Sequence, residues 1–152
     1  MQDSNIEIVD KKLEKNLSLV DQVLEAFNKH DLEQFMDFYD ESALYYRPTQ
    51  IEPLKGREAI REGFEQMMFT SFPDMKIEKI RAFGQDDWLC IQAILLGTHT
   101  GPLPGPTGEE IPPTNKSIRV PMCLVIKVKD GKFTEAHEYI DQLGFLAQLG
   151  LQ

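Results

Sequence analysis

The chain has 152 residues, 41% hydrophobic and 27% charged, with 25 acids against 16 bases for a net charge of −9. Such a length reads as one domain able to bury roughly 70% of its unfolded surface, and the composition excludes disordered and fibrous classes. The acidic balance argues against nucleic-acid and anionic-membrane partners, which need clustered Lys and Arg to offset phosphate charge.

The opening MQDSNIEIVDKK lacks the basic start and apolar run of a secretory signal, and no stretch reaches the ~20 apolar residues of a membrane span. A cytoplasmic location is the default expectation. A single domain is expected over 1–152, with 1–10 as a flexible lead-in. Cys90 and Cys123 each lie inside an apolar, strand-like run rather than in a metal-binding or CxxC spacing, and read as buried free thiols.

Between Lys11 and Lys29, Leu13, Leu17, Val20, Leu24 and Phe27 recur every three or four residues, the mark of a helix with one buried stripe. Asp31 can cap a second short helix carrying Leu32, Phe35, Met36 and Phe38, and His30 before it reads as solvated. Ala43 to Tyr46 is a short predicted strand closed by Arg47-Pro48. After the turn-rich TQIEPLKG, the spacing predicts a third helix over Arg57 to Phe69.

Beyond Pro73 the pattern becomes extended, with predicted strands at Met75–Phe83, Asp87–His99, Ser117–Val128 and Lys132–Ile140. Lys129-Asp130-Gly131 supplies a tight turn before the last of them. A strand of about 12 residues spans on the order of 40 Å, so the long strands must coil around something, and the helices are the available filling. The connection GPLPGPTGEEIPPTNK, residues 101–116, holds five prolines and three glycines. It is expected to have no regular structure, and reads as a functional flap, a rigid hairpin tip or a subunit contact.

Period-two alternation puts Phe133, Glu135, His137, Tyr139 and Asp141 on one face of the last strand, read as looking into a cavity. On 117–128, the face Ile118, Val120, Met122, Leu124, Ile126 and Val128 is wholly apolar, as a dry cavity wall would be. On 87–99 both faces are apolar, so the outer one is a predicted homodimer interface.

The stretches NKHDLEQFMDFYDESALYY, GREAIREGF, GTHTG with IPPT, and KDGKFTEAHEYIDQLGFLAQLG together resemble the SnoaL-like polyketide cyclases, the ester-cyclase branch of the nuclear transport factor 2-like superfamily, over about residues 13–150. The resemblance implies an α+β cone-shaped barrel: N-terminal helices packed in a strongly curved, mainly antiparallel sheet around an apolar pocket, closed by a short C-terminal helix. It also implies ring closure of a polyketide ester without metal or cofactor, using an aspartate as acid and base, and Asp141 occupies the matching position. The chain departs from the family at Ala136-His137, where His-Trp is frequent, so a smaller, titratable ring replaces an aromatic wall.

Each candidate has a structural counterpart. A carboxylate beside an apolar pocket becomes a usable base as its pKa rises, yet Asp141 is equally suited to N-cap the terminal helix. His137 could orient Asp141 or polarise a carbonyl, or be hydrogen-bonded structure. His99, at the entry to the proline-rich loop, could reach a ligand from the rim or simply end a strand. Tyr139, Tyr45 and Tyr46 are possible phenol donors to an enolate, although only one of Tyr45 and Tyr46 can face inward. Glu135 reads as a member of a structural ion pair with Arg119 or Arg81. The expected ligand is a small apolar carbonyl compound, lined by Met122 and Leu124, and the expected activity a cofactor-free cyclisation or isomerisation. A non-catalytic binding protein and a hydrolase or dehydratase are the alternatives. No metal is expected, for want of ligand spacing among His99, His137, Glu135 and Asp141.

Overall fold

The structure, a computed structural model, describes residues 2–151, with side chains from Lys11 onward. Helix α1 (Gln2–Asn28) buries Val20, Val23, Leu24, Ala26 and Phe27, the stripe legible in the sequence. Its backbone is helical from Gln2, so the segment expected as a flexible lead-in continues the helix; the side chains of 1–10 lie outside the described residues. Asn28 ties the end of α1 to the chain ahead, donating to the Ile77 carbonyl at 3.0 Å and accepting from the Ile77 N–H at 2.8 Å. His30 is tied rather than solvated, its Nε2 lying 2.7 Å from the Met75 carbonyl.

Asp31 caps helix α2 (Leu32–Asp37) by accepting from the Gln34 N–H at 3.1 Å. Strand β1 (Tyr39–Tyr46) starts earlier than predicted and pairs with the two-residue β2 (Leu54–Lys55). Helix α3 (Arg57–Glu65) widens into a π-helical turn over Gln66–Ser71, a feature periodicity at 3.6 residues does not reveal.

Strands β3 (Lys76–Gln85) and β4 (Trp88–Thr98) follow as an antiparallel pair. The proline-rich connection is not wholly irregular. It carries a two-stranded ribbon of β5 (Leu103–Pro104) and β6 (Glu110–Ile111), because backbone pairing satisfies groups that the prolines cannot. β7 (Ser117–Lys129) and β8 (Lys132–Ile140) form a hairpin, with Asp130 at φ 50° and Gly131 at φ 75° in its two-residue turn. Helix α4 (Gln142–Leu149) ends the chain.

The six-stranded sheet has the order β2-β1-β8-β7-β4-β3, with β1 parallel to β8 and every other pair antiparallel. Helix α1 packs on β3 at one edge, while α2 and α3 pack on β1 towards the other. Because the three helices also touch in series, the sheet curls around them. The enclosed core includes Phe27, Ile60, Met68, Phe72, Leu89, Ile91, Ile126 and Phe133. This is the expected α+β class with a mainly antiparallel sheet. No described helix is long and apolar enough to cross a membrane.

Candidate functional site

The register of β8 decides which of its side chains face the helices. Val128 pairs with Phe133 but Lys127 pairs with Glu135, so Thr134 is an extra residue, a β-bulge. Phe133 points into the core, and beyond the bulge the parity reverses. Ala136 and Glu138 then join the inner face, while Glu135, His137 and Tyr139 face outward. The face read as lining a cavity is thus split across the sheet. The apolar pair Phe133 and Ala136, three residues apart where simple alternation needs an even number, is the signal that could have shown it.

On the outer face, His137 stacks flat on Tyr46, ring centroids 4.4 Å apart and planes 3° off parallel, and its Nε2 lies 3.0 Å from Glu135 Oε1. Glu135 thus pairs with His137, not with the arginines expected. Tyr139 is 58% exposed. Asp141 stands at the end of the sheet as the N-cap of α4, accepting from the Gly144 N–H at 2.9 Å. A Cβ at residue 144 would collide with that carboxylate, so Gly144 lets the cap close.

His99 is wholly buried rather than on a rim. Its Nδ1 accepts from the Thr114 N–H at 3.2 Å and lies 3.1 Å from the Thr114 hydroxyl, and its ring stacks on Phe72. Burial lowers its pKa, opposed in part by the Gly101 backbone, so the neutral ring is favoured. Its backbone N–H donates to the Lys116 carbonyl at 2.9 Å, and its carbonyl accepts from the Asn115 N–H at 2.8 Å. The stretches GTHTG and IPPT are therefore one physical unit, the base of the flap.

The inner face holds Met122 and Leu124 and, of the two adjacent tyrosines, Tyr45, together with a carboxyl that alternation had assigned to the other side. Tyr45, 2% exposed, donates its hydroxyl to Glu138 Oε1 at 3.0 Å. Leu124 stands opposite Glu138 on β7, and Met122 opposite Ile140. The Phe64 ring of α3 meets Tyr45 edge-on at 5.3 Å and Phe35 at 4.8 Å, and Tyr39 lies 6.4 Å from Tyr45. Arg47, two residues beyond Tyr45, holds the Gln50 side chain at 3.0 Å through Nη2; its Nε–H is buried with no hydrogen-bond partner among the described residues.

Electrostatics set Glu138 apart. Burial raises its pKa, because a carboxylate loses hydration among apolar walls, while the Tyr45 hydrogen bond and the Arg47 charge pull it part of the way back. Tyr45 and Tyr39 are pushed above the usual phenol range by the same burial and by the Glu138 charge, so both stay protonated. A carboxyl whose protonated form is favoured by burial, a fixed phenol donor and a guanidinium whose Nε–H has no partner among the described residues therefore share one wall. Leu124, Ile140, Phe64, Met67 and Leu54 pack against the core yet remain partly accessible, so the surroundings are apolar without being closed. Among the described residues no three His, Cys, Asp or Glu side chains group as metal ligands.

Helices curled into a mainly antiparallel sheet, with a buried carboxyl on its inner face, make a small α+β protein. The chain belongs to the SnoaL-like polyketide cyclase family, whose model matches residues 18–149. It is 25% identical over 139 residues to the aklanonic acid methyl ester cyclase DnrD of Streptomyces peucetius, covering 88% of this chain and 90% of that one. AclR of Streptomyces galilaeus, a candidate hydroxylase, superposes with a TM-score of 0.78 at 18% identity over 92% of this chain and 87% of its own. IdmH of Streptomyces antibioticus, a candidate polyketide cyclase, does so at 0.74 with 24% identity, over 89% and 98%. The two structures share the fold under different chemical names, so the fold does not select the reaction.

Proposed function

We propose that this protein binds a small apolar carbonyl compound at the inner wall of the sheet and catalyses a cyclisation or isomerisation with Glu138 as the acid and base. The observation that carries this reading is the Glu138 carboxyl, drawn upward in pKa by burial and held by the Tyr45 hydroxyl. An elevated pKa moves the carboxyl's titration from the ordinary carboxylate range towards the working pH, the direction that general acid–base catalysis needs.

In the reaction, the Glu138 carboxylate takes an acidic proton from the carbon beside a carbonyl, leaving an enolate. The negative charge builds on the carbonyl oxygen, and the unpartnered Arg47 Nε–H is the group on this wall able to receive it. In a cyclisation the enolate carbon attacks a second carbonyl of the same molecule, and protonated Glu138 returns its proton to the new alkoxide. In an isomerisation the proton returns to a different carbon. Asp141, held as a helix cap, takes no proton in this scheme.

Similarity to an ester cyclase supports a methyl ester of a polyketide as the first substrate to try. The test is turnover of aklanonic acid methyl ester, followed by mass and chromatography, for wild type, Glu138→Gln and Asp141→Asn. A loss of about a hundredfold or more in Glu138→Gln, with Asp141→Asn near wild type, is the expected result. Full activity in Glu138→Gln would overturn the assignment.

A further inference from the structure

On the outer face of the sheet, Cys90 of β4 and Cys123 of β7 bring their sulfur atoms to 3.3 Å. Cys90 stands opposite Val125 and Cys123 opposite Gln92, so the two are diagonal neighbours on the two strands with the longest continuous register in the sheet. A disulfide is about 2.05 Å long. The two sulfurs, at 3.3 Å, must approach by a little over 1 Å to reach that length.

An ordinary buried cysteine behaves as a small hydrophobe, and the sequence suggested that for both. Neither is fully buried: each is half-buried. Cys123 also borders a groove of about 340 Å³ that Gln92, Met122, Tyr139, Ile140 and Asp141 help to line. A small reagent therefore has a path to the Cys123 sulfur, 3.3 Å from that of Cys90. Burial and the neighbouring Cys90 sulfur push Cys123 up to about 11, as two thiols in contact resist ionising together.

We propose that Cys90 and Cys123 are a reversible thiol–disulfide pair, a modification site on the outer face that is separate from the Glu138 wall. The co-reactant is a low-molecular-weight disulfide. One of the two thiolates attacks one of its sulfurs, forming a mixed disulfide and releasing one small thiol. The other cysteine sulfur then attacks the protein sulfur of that mixed disulfide, forming the protein disulfide and releasing the second small thiol. The two protein thiols lose two electrons and two protons, and the small disulfide gains both as two thiols. The new bond ties β4 to β7 beside Tyr139, which stands opposite Cys123 on β8.

The test treats the native, full-length chain with oxidised glutathione in the absence of air and reads intact mass and free thiols. Wild type is expected to lose both thiols and two hydrogens, to retain no glutathione, to stay a single chain on non-reducing electrophoresis, and to recover both thiols with dithiothreitol. Cys123→Ser is expected to stop at one glutathione bound through Cys90, and Cys90→Ser at one bound through Cys123. Wild type that halts at a mixed disulfide or links two chains would overturn the pair.

Discussion

The Tyr45 hydroxyl donates to Glu138 Oε1 at 3.0 Å across β1 and β8, the one parallel pair in the sheet. A hydrogen bond given to the charged form favours that form, so Tyr45 moderates the upward pull of burial on Glu138. Tyr45→Phe removes the donor and leaves the ring. The acidic limb of the rate–pH profile is then expected to move to higher pH. Measuring kcat/KM across that limb for both proteins checks it, and an unmoved limb would mean that Glu138 is not the titrating base.

Glu138 also sets a pH dependence of stability. Its pKa in the folded chain lies above the ordinary 4.5, so between 4.5 and the raised value the folded state holds more protons than the unfolded one. Folding stability must therefore fall as pH rises through that window, and stay lowered above it. Glu138→Gln is neutral throughout and keeps an oxygen for Tyr45. Thermal melts at several pH values are expected to show little difference from wild type below pH 4.5 and a growing advantage for the variant as the pH is raised.

Asp141 and Glu138 are separable by substitution. Asp141→Ala removes the bond to the Gly144 N–H and is expected to cost about 1 kcal/mol by denaturant melt. Asp141→Ser, which can still cap, should recover most of that. Turnover per folded molecule is expected to be unchanged in both. A large loss of activity at full stability would instead return Asp141 to the chemistry.

The flap is docked through its backbone. Ser71 Oγ donates to the Pro102 carbonyl at 2.8 Å, and the Gly101 N–H reaches the Ser71 carbonyl at 3.3 Å. A Cβ on residue 101 would run into the Thr70 carbonyl oxygen of the π-helical turn. Gly101→Ala is expected to lift the flap and destabilise the chain by about 1–3 kcal/mol, read in a denaturant melt, with faster proteolysis within residues 101–116.

Much of the fold was legible because it rests on local rules. The stripe of α1, the Asp31 cap and the Asp130-Gly131 turn follow from periodicity, capping preference and tolerance of positive φ, none of which needs a distant partner. The four long strands were placed to within two residues for the same reason. The flap ribbon was not foreseen, because pairing across residues 105–109 depends on how the prolines leave backbone groups free.

The candidate site was legible only in part. Met122 and Leu124 share the inner face of β7 because that strand alternates without interruption up to those positions, while the choice between Tyr45 and Tyr46 was left open by alternation alone. Asp141 was foreseen as a cap as well as a base, and the structure shows the cap. The inner carboxyl was missed. An inserted residue reverses the facing of everything beyond it, and Thr134 carries no glycine or proline to announce the insertion.

The sequence by itself determined the class of fold, the order of its elements and the acidic, apolar-strand character of the chain, since these are sums over local preference and composition. Only the tertiary structure decided that Glu138 faces the helices while His137 and Tyr139 face away, that His99 is locked beneath the flap, and that Cys90 meets Cys123. Facing and contact depend on strand register, and register is settled by pairing between segments far apart in the chain.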